Sequence, residues 1–212
     1  MTQLRTARLL LRPLRPVDFA GYREVRLYNA EWLARWEPRL PPGAASPAQD
    51  PSAFASRCSA RDRERQLGTG YAFGMFHRER FCGEINLNNV VRGAFRSGHV
   101  GYWVDERFAG QGFVPEGLVA VLGFAIEQVE LHRVEINIIP RNDRSLRVVE
   151  KLGLRSEGLA ERLIEINGVW EDHIRFAITA EEWAARSGEL HDLARGVDRA
   201  ASRPGVSSAP PR

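Results

Sequence analysis

The sequence predicts an α/β (α+β) fold, and three patterns carry that prediction. The run GHVGYWV, a glycine-rich break and then VPEGLVAVLGFAIEQV read as strand, loop and helix, and RVEINIIPRNDRSLRVVEKLG repeats the order. Between residues 71 and 91 two apolar runs flank the polar Arg78-Glu79-Arg80, as an antiparallel pair around a tight turn does. Further on, Asn167-Gly168 separates two more strand-like runs, the strongest short hairpin signal available.

Taken in chain order, ARLLLRPL reads as a short strand, and residues 17–36 as a helix introduced by Pro16 and Asp18 and stopped by Pro38. PRLPPGAASPAQDPS is too rich in proline for any regular element and reads as a loop, and residues 53–66 are helix-compatible. YAFGMFH, FCGEINLNNVV and GHVGYWV are three strands. In the following helix Val114, Leu118, Val121, Leu122 and Ala125 form one apolar stripe, and Pro115 suits its first turn. VEINII is a strand ending at Pro140, and the next helix has Asn142 or Asp143 as cap and Gly153 as terminator. Residues 161–166 and 169–178 form the last hairpin. We expect one domain, residues 1–185, and a tail, residues 186–212, that begins as a fraying helix and ends disordered.

Composition narrows the function without fixing it. With 212 residues, 43% hydrophobic and 27% charged, the chain is an ordinary globular protein. Its net charge of +3 permits an acidic partner without demanding one. Lys151 is the only lysine, so a G-K-[ST] phosphate loop is absent and a Schiff-base enzyme has little room. Cys58 and Cys82 make no disulfide framework, and the N-terminus lacks a long apolar run. The expected compartment is therefore the reducing cytoplasm, with no membrane partner. The five histidines are too scattered for a metal motif, no G-x-S-x-G elbow occurs, and no metal is expected.

RFAGQGF, residues 107–113, joins the third of these strands to its helix. The helix's unpaired N–H groups point back into the loop, Gly110 and Gly112 let backbone approach an anion, and Arg107 adds a charged donor. The loop reads equally as a plain glycine-rich turn. A dinucleotide fingerprint fails, because Pro115 holds the third glycine position of G-x-G-x-x-G.

Together the two strand–loop–helix units resemble the GNAT acyltransferase superfamily, whose R/Q-x-x-G-x-G/A loop binds the pyrophosphate of acetyl-CoA. NVVRGAF, GYWVDERFAGQG, LHRVEINIIPRNDRS, LGLRSEG and NGVWEDH resemble, more narrowly, its RimJ/RimL-like branch, which acetylates N-termini of ribosomal proteins. The resemblance implies a mixed sheet splayed at a V-shaped cleft with flanking helices, and acetyl-CoA as co-substrate. It implies that the backbone of Trp103 and Val104 holds the pantetheine arm and that Arg107, Gly110, Gln111, Gly112 and Phe113 hold the diphosphate. Asn142 and Ser145 would then lie along the cofactor arm. The implied acceptor is the N-terminal alanine of ribosomal protein S5, with no direct nucleic-acid contact.

Acyl transfer to an amine needs a neutral nucleophile and a proton for the leaving thiolate. An α-amine with a pKa of about 7.7–8.0 is roughly 10% neutral at pH 7, whereas a lysine is below about 0.1%, so an α-amine needs only a modest base. Glu84 is the candidate base, or else an edge carboxylate paired with an arginine; His99 is the alternative. Ser145 is the candidate proton donor, or an ordinary first-turn serine. Some relatives carry a glutamate base five residues before the family's Asn, where this chain has Asn137. Tyr28, Trp32 and Trp36 form an aromatic stripe that suits core packing or an acceptor wall, and Trp170, Asp172 and His173 read as mainly structural. The competing readings are an acetyltransferase for a small amine, antibiotic or lysine, and a non-catalytic ribosome- or RNA-associated acetyl-CoA-binding protein.

Overall fold

The computed structural model describes residues 2–196 and contains one eight-stranded sheet in the order β1-β2-β3-β4-β5-β6-β8-β7. The strands are β1 Leu4–Arg5, β2 Leu10–Arg12, β3 Tyr71–His77, β4 Arg80–Val91, β5 Ser97–Val104, β6 Arg133–Ile138, β7 Arg155–Ile166 and β8 Val169–Thr179. Every neighbour is antiparallel except β5 and β6, which run parallel because the helix between them crosses back over the sheet. The helices are α1 Phe19–Tyr28, α2 Ala30–Ala34, α3 Pro51–Leu67, α4 Phe113–Gly123, α5 Asp143–Lys151 and α6 Ala180–Arg195.

Strand alternation divides the side chains between two faces. Met75, Ile85, Leu87, Val134, Ile136 and Ile178 point to one face, where α4 buries Leu118 and Leu122 against them. On the other face, Leu14, Tyr22, Val25, Phe54, Phe76 and Phe81 form a second core under α1 and α3. Glu84, Trp103, His99, Glu135, Asn137 and Arg175 project to this second face, as their cross-strand pairing requires.

Four elements differ from the sequence expectation. The helix expected over 17–36 breaks at Asn29, which is buried, donates to Val25 O (2.8 Å) and Asp105 Oδ1 (3.1 Å), and accepts from Glu106 N (2.8 Å). An asparagine that bonds so many partners outside the helix ladder ends the helix. Helix α3 begins at Pro51, capped by Asp50, whose Oδ1 accepts from Ser52 N. Strand β7 starts six residues before the expected 161, as a bulged, charged edge strand with no apolar alternation to reveal it. Lastly, α6 passes the expected boundary at 185 and buries Trp183, Leu190 and Ala194. Trp183 lies over Gly123, where a Cβ would stand 2.9 Å from its ring, and donates to Glu127 at 2.7 Å. The disordered end expected beyond α6, residues 197–212, lies outside the described residues.

Candidate active site

The sheet forks between β5 and β6. Only Ser97–Arg133, Gly98–Val134 and His99–Glu135 pair across that seam, whereas β5 stays paired to β4 as far as Val104 and β6 to β8 as far as Ile138. Beyond His99, residues 100–104 therefore leave one backbone edge facing a cleft. On the α4 side Tyr102 is half-buried, its hydroxyl is pushed well above the ordinary phenol range by desolvation, and it lies 3.4 Å from the Ser145 carbonyl.

The loop at residues 107–113 sits at the mouth of the cleft. Gly110 (φ 77°) and Gly112 (φ 79°) are both left-handed, and α4 starts directly after Gly112 with no side-chain cap. A Cβ on Gly110 would meet nothing within 4 Å, so the loop presents bare backbone to open space. The side chain of Arg107 turns away from it. Its guanidinium binds Asp105 at 2.6 Å and Glu24 at 3.1 Å and stacks 4.5 Å over Tyr28. The buried Asp105 is held below the ordinary carboxylate range, since Arg107 and Asn29 outweigh the burial that pushes it up. Arg107's charge thus anchors the loop's entry instead of standing free for an anion. The cation against the loop is Arg8, which donates to Gln111 O (2.8 Å) and binds the buried Glu116 (2.6 Å). Gln111 closes the turn by donating to Arg107 O, and Phe113 is buried against His77 and Phe108.

Glu84 lies on the second face, buried, and accepts from Arg57 (2.8 and 2.9 Å) and from the indole N–H of its cross-strand partner Trp103 (3.1 Å). Burial works against the charge of Arg57, and Glu84 restores it, holding that guanidinium above its ordinary range. Of the two readings of Glu84, the structure displays the ion pair, with both carboxylate oxygens already engaged by donors. His99 pairs with Glu135 at 3.3 Å at the crotch of the fork. Asn142 caps α5, its Oδ1 accepting from Ser145 N (3.2 Å), and the Ser145 hydroxyl makes no hydrogen bond among the described residues.

A bridge spans the cleft on the second face. Asn167 of the β7–β8 turn donates to Glu37 O (3.0 Å) and accepts from Arg39 Nε (2.8 Å), joining the loop after α2 to the far side of the fork. The aromatic stripe lies along it instead of entering the core: Trp32 stacks under Arg144 at 4.0 Å, and Trp36 under Arg141 at 5.4 Å. Arg26 pairs with Glu37 and lies 5.0 Å over Trp103. In the hairpin Trp170 is exposed, Asp172 accepts from Arg162 N (2.8 Å), and His173 is buried beside Glu171 O. Sequence reasoning passed over Arg57, Tyr102 and Arg8, because their partners are far away in the chain. The capping pair Thr179 and Glu182 could have revealed α6.

Residues 8–155 match the family model described as "Acetyltransferase (GNAT) domain". The chain belongs to the GNAT acetyltransferase family. It is 29% identical over 183 residues to the [ribosomal protein uS5]-alanine N-acetyltransferase of Escherichia coli (strain K12), covering 85% of this chain and 92% of that protein. It is 40% identical over 110 residues to the probable N-acetyltransferase YjcK of Bacillus subtilis (strain 168), over 51% of this chain and 61% of that one. The solved structure of Mycobacterium smegmatis RimJ in complex with CoA-disulfide superposes with a TM-score of 0.81 at 32% identity, covering 92% of this chain and 93% of that one. The chain is thus an acyltransferase, and acetyl-CoA is its acyl donor. The residues present fit that donor: an uncapped helix start behind two left-handed glycines suits a diphosphate, and the free edge of β5 suits an extended amide-bearing arm. Among the described residues no helix is long and apolar enough to cross a membrane.

Proposed function

We propose that this GNAT enzyme is a cytoplasmic N-terminal acetyltransferase that modifies the α-amine of a ribosomal protein, with the alanine of S5 as its acceptor. The observation that carries the choice of amine is the state of Glu84. Glu84, with both oxygens engaged by Arg57 and Trp103, offers no free carboxylate oxygen to a lysine, whereas an α-amine is already about 10% neutral at pH 7 and needs only a modest base. The uS5-alanine acetyltransferase relative, alike over most of both chains, supports the same acceptor.

The roles of the chain's residues follow from their positions. The backbone of Trp103 and Val104 lines the free edge and holds the pantetheine arm by strand addition. The N–H groups from Gly110 to Phe113 receive the diphosphate, with Gln111 and the backbone of Arg107 fixing the turn. Bound acetyl-CoA supplies a thioester carbonyl to the amine and leaves as a thiolate. Asn142 sets the first turn of α5, and in this reading the unpartnered Ser145 hydroxyl gives the thiolate a proton. Glu84 keeps Trp103 and Arg57 in place on the wall.

Incubation of the protein with acetyl-CoA and peptides that begin with alanine or carry a lysine, read by mass spectrometry, tests this. One added acetyl on the alanine peptide's N-terminus is expected. Preferential modification of the lysine or of a small amine overturns the acceptor; CoA binding without turnover overturns catalysis.

A further inference from the structure

Asn137 and Arg175 are direct partners across β6 and β8, and each carries one buried polar atom with no partner: the Oδ1 of Asn137 and the Nε–H of Arg175. Leaving such atoms unpaired costs roughly 1–3 kcal/mol each, so a site that keeps two side by side is one that something else completes. They do not complete each other, although cross-strand Cβ atoms lie only about 5 Å apart. Arg175 also lacks an ion pair among the described residues, unlike Arg26, Arg57, Arg107 and Arg133.

Their place in the fork gives the pair its meaning. Both project to the second face, one step past the last rung, His99–Glu135. On β5 the matching position is Gly101, where a Cβ would meet only Asn88 Nδ2 at 3.9 Å, so that position puts no side chain of its own toward Asn137. Trp103 and Glu84 stand beyond it on the opposite wall, and the bridge of Asn167 and Glu37 lies across the same face.

One unpaired acceptor beside one unpaired donor is the complement of a group with a donor and an acceptor on adjacent atoms. The first residue of a peptide is such a group, with its α-amine N–H and its own carbonyl oxygen. We propose that Asn137 and Arg175 are positioning residues that read the N-terminal residue: Asn137 Oδ1 accepts from the α-amine, and Arg175 Nε–H donates to the first carbonyl. The amine lone pair stays free to attack. The unneutralised guanidinium also disfavours an ammonium beside it, so the site takes the neutral amine and the proton leaves to solvent. A lysine side chain lacks the adjacent carbonyl and meets only half of the pair. This inference rests on the N-terminal reading proposed above.

The other charged groups around the site are spoken for, which leaves Arg175 to set the amine's ionisation. Glu135 on β6 holds Arg133 and His99, Glu157 on β7 holds Arg133 and Arg155, and Glu84 on β4 holds Arg57 from α3. Glu37 holds Arg26 of α1, Glu171 on β8 holds Arg141, and His173 on β8 is buried against Glu171 O.

The test is the pH dependence of kcat for an alanine-starting peptide between pH 6 and 9.5, in the wild type, Arg175→Gln and Arg175→Lys. In Arg175→Gln the rising limb is expected to move up by about one pH unit, the low end for a nearby like charge, so the loss of kcat is confined to the limb and regained above it. Arg175→Lys should keep the limb where it is. Calorimetry of the peptide binding to CoA-loaded protein, in two buffers of different ionisation enthalpy, gives a readout independent of turnover. At pH 7 the wild type should release more proton per peptide than Arg175→Gln, approaching the roughly 0.8–0.9 that the free α-amine carries. A loss that is equal at every pH, with unchanged proton release, means that the pair holds only a structural water and overturns the inference. Wild-type transfer to the peptide with an unmoved Arg175→Gln profile sinks this inference alone; a wild type that neither binds nor acetylates the peptide overturns both readings.

Discussion

At the scale of single residues, the site depends on charges that are fixed before any substrate arrives. Glu84 has a guanidinium and an indole N–H on its two oxygens, and its side chain is only 4% exposed. In Glu84→Gln, Arg57 loses its counter-charge while one acceptor remains for Trp103, so roughly 3 kcal/mol of stability should go, the low end for breaking a buried pair. The melting temperature measures that loss. How much of this was legible in the sequence depended on distance along the chain. The cap of α5 could be narrowed to Asn142 or Asp143 from its own neighbours, and the structure gives Asn142; Glu84 could be placed on the cleft wall by alternation. Whether Glu84 was base or ion-pair partner depended on Arg57, 27 positions earlier on another element. Arg107 was expected at an anion and instead serves Asp105 and Glu24, the latter 83 residues away.

At the scale of elements, the start of α4 combines two demands in one short turn, since the backbone must be left-handed and its N–H groups must be exposed. Gly110→Ala separates them. The new Cβ enters open space, so folding should lose only about 1–2 kcal/mol for the left-handed backbone. That same space is where the diphosphate is proposed to lie, so CoA affinity, read by calorimetry, should fall by more than the stability change explains. Strands β3 and β4 were legible as apolar runs around the polar turn Arg78-Glu79-Arg80, and β6 from its alternation of buried and half-buried residues. The break at Asn29 was not, because the atoms that cause it belong to Asp105 and Glu106. Helix α6 read as fraying for a related reason: its buried Trp183, Leu190 and Ala194 are sparse and separated by charges, and its packing is against α4.

At the scale of the whole molecule, the far end of the fork is bound by a chain of ions running from Glu135 through Arg133, Glu157 and Arg155 to Glu182. Arg133 and then Arg155 hold the Glu157 carboxyl down at about 2. A carboxylate whose folded pKa is depressed adds stability that is full above its ordinary value and is lost as the pH falls toward the folded one. Melting temperature should therefore be flat from pH 7 to 5 and fall from about pH 4.5 downward, and Glu157→Gln should flatten part of that fall. Asp105 and Glu116, both held below their ordinary range despite burial, add to the same acid limb.

The seam of three rungs between β5 and β6 has a thermodynamic meaning as well. A groove made by prying strands apart would charge every arriving ligand for the broken hydrogen bonds. Here the strands part during folding, held by α4 on one face and by their own outer partners, β4 and β8. Whatever lies in the fork is charged only for its own ordering, so the chain has met the cost of preorganisation once, when it folds, instead of at each turnover.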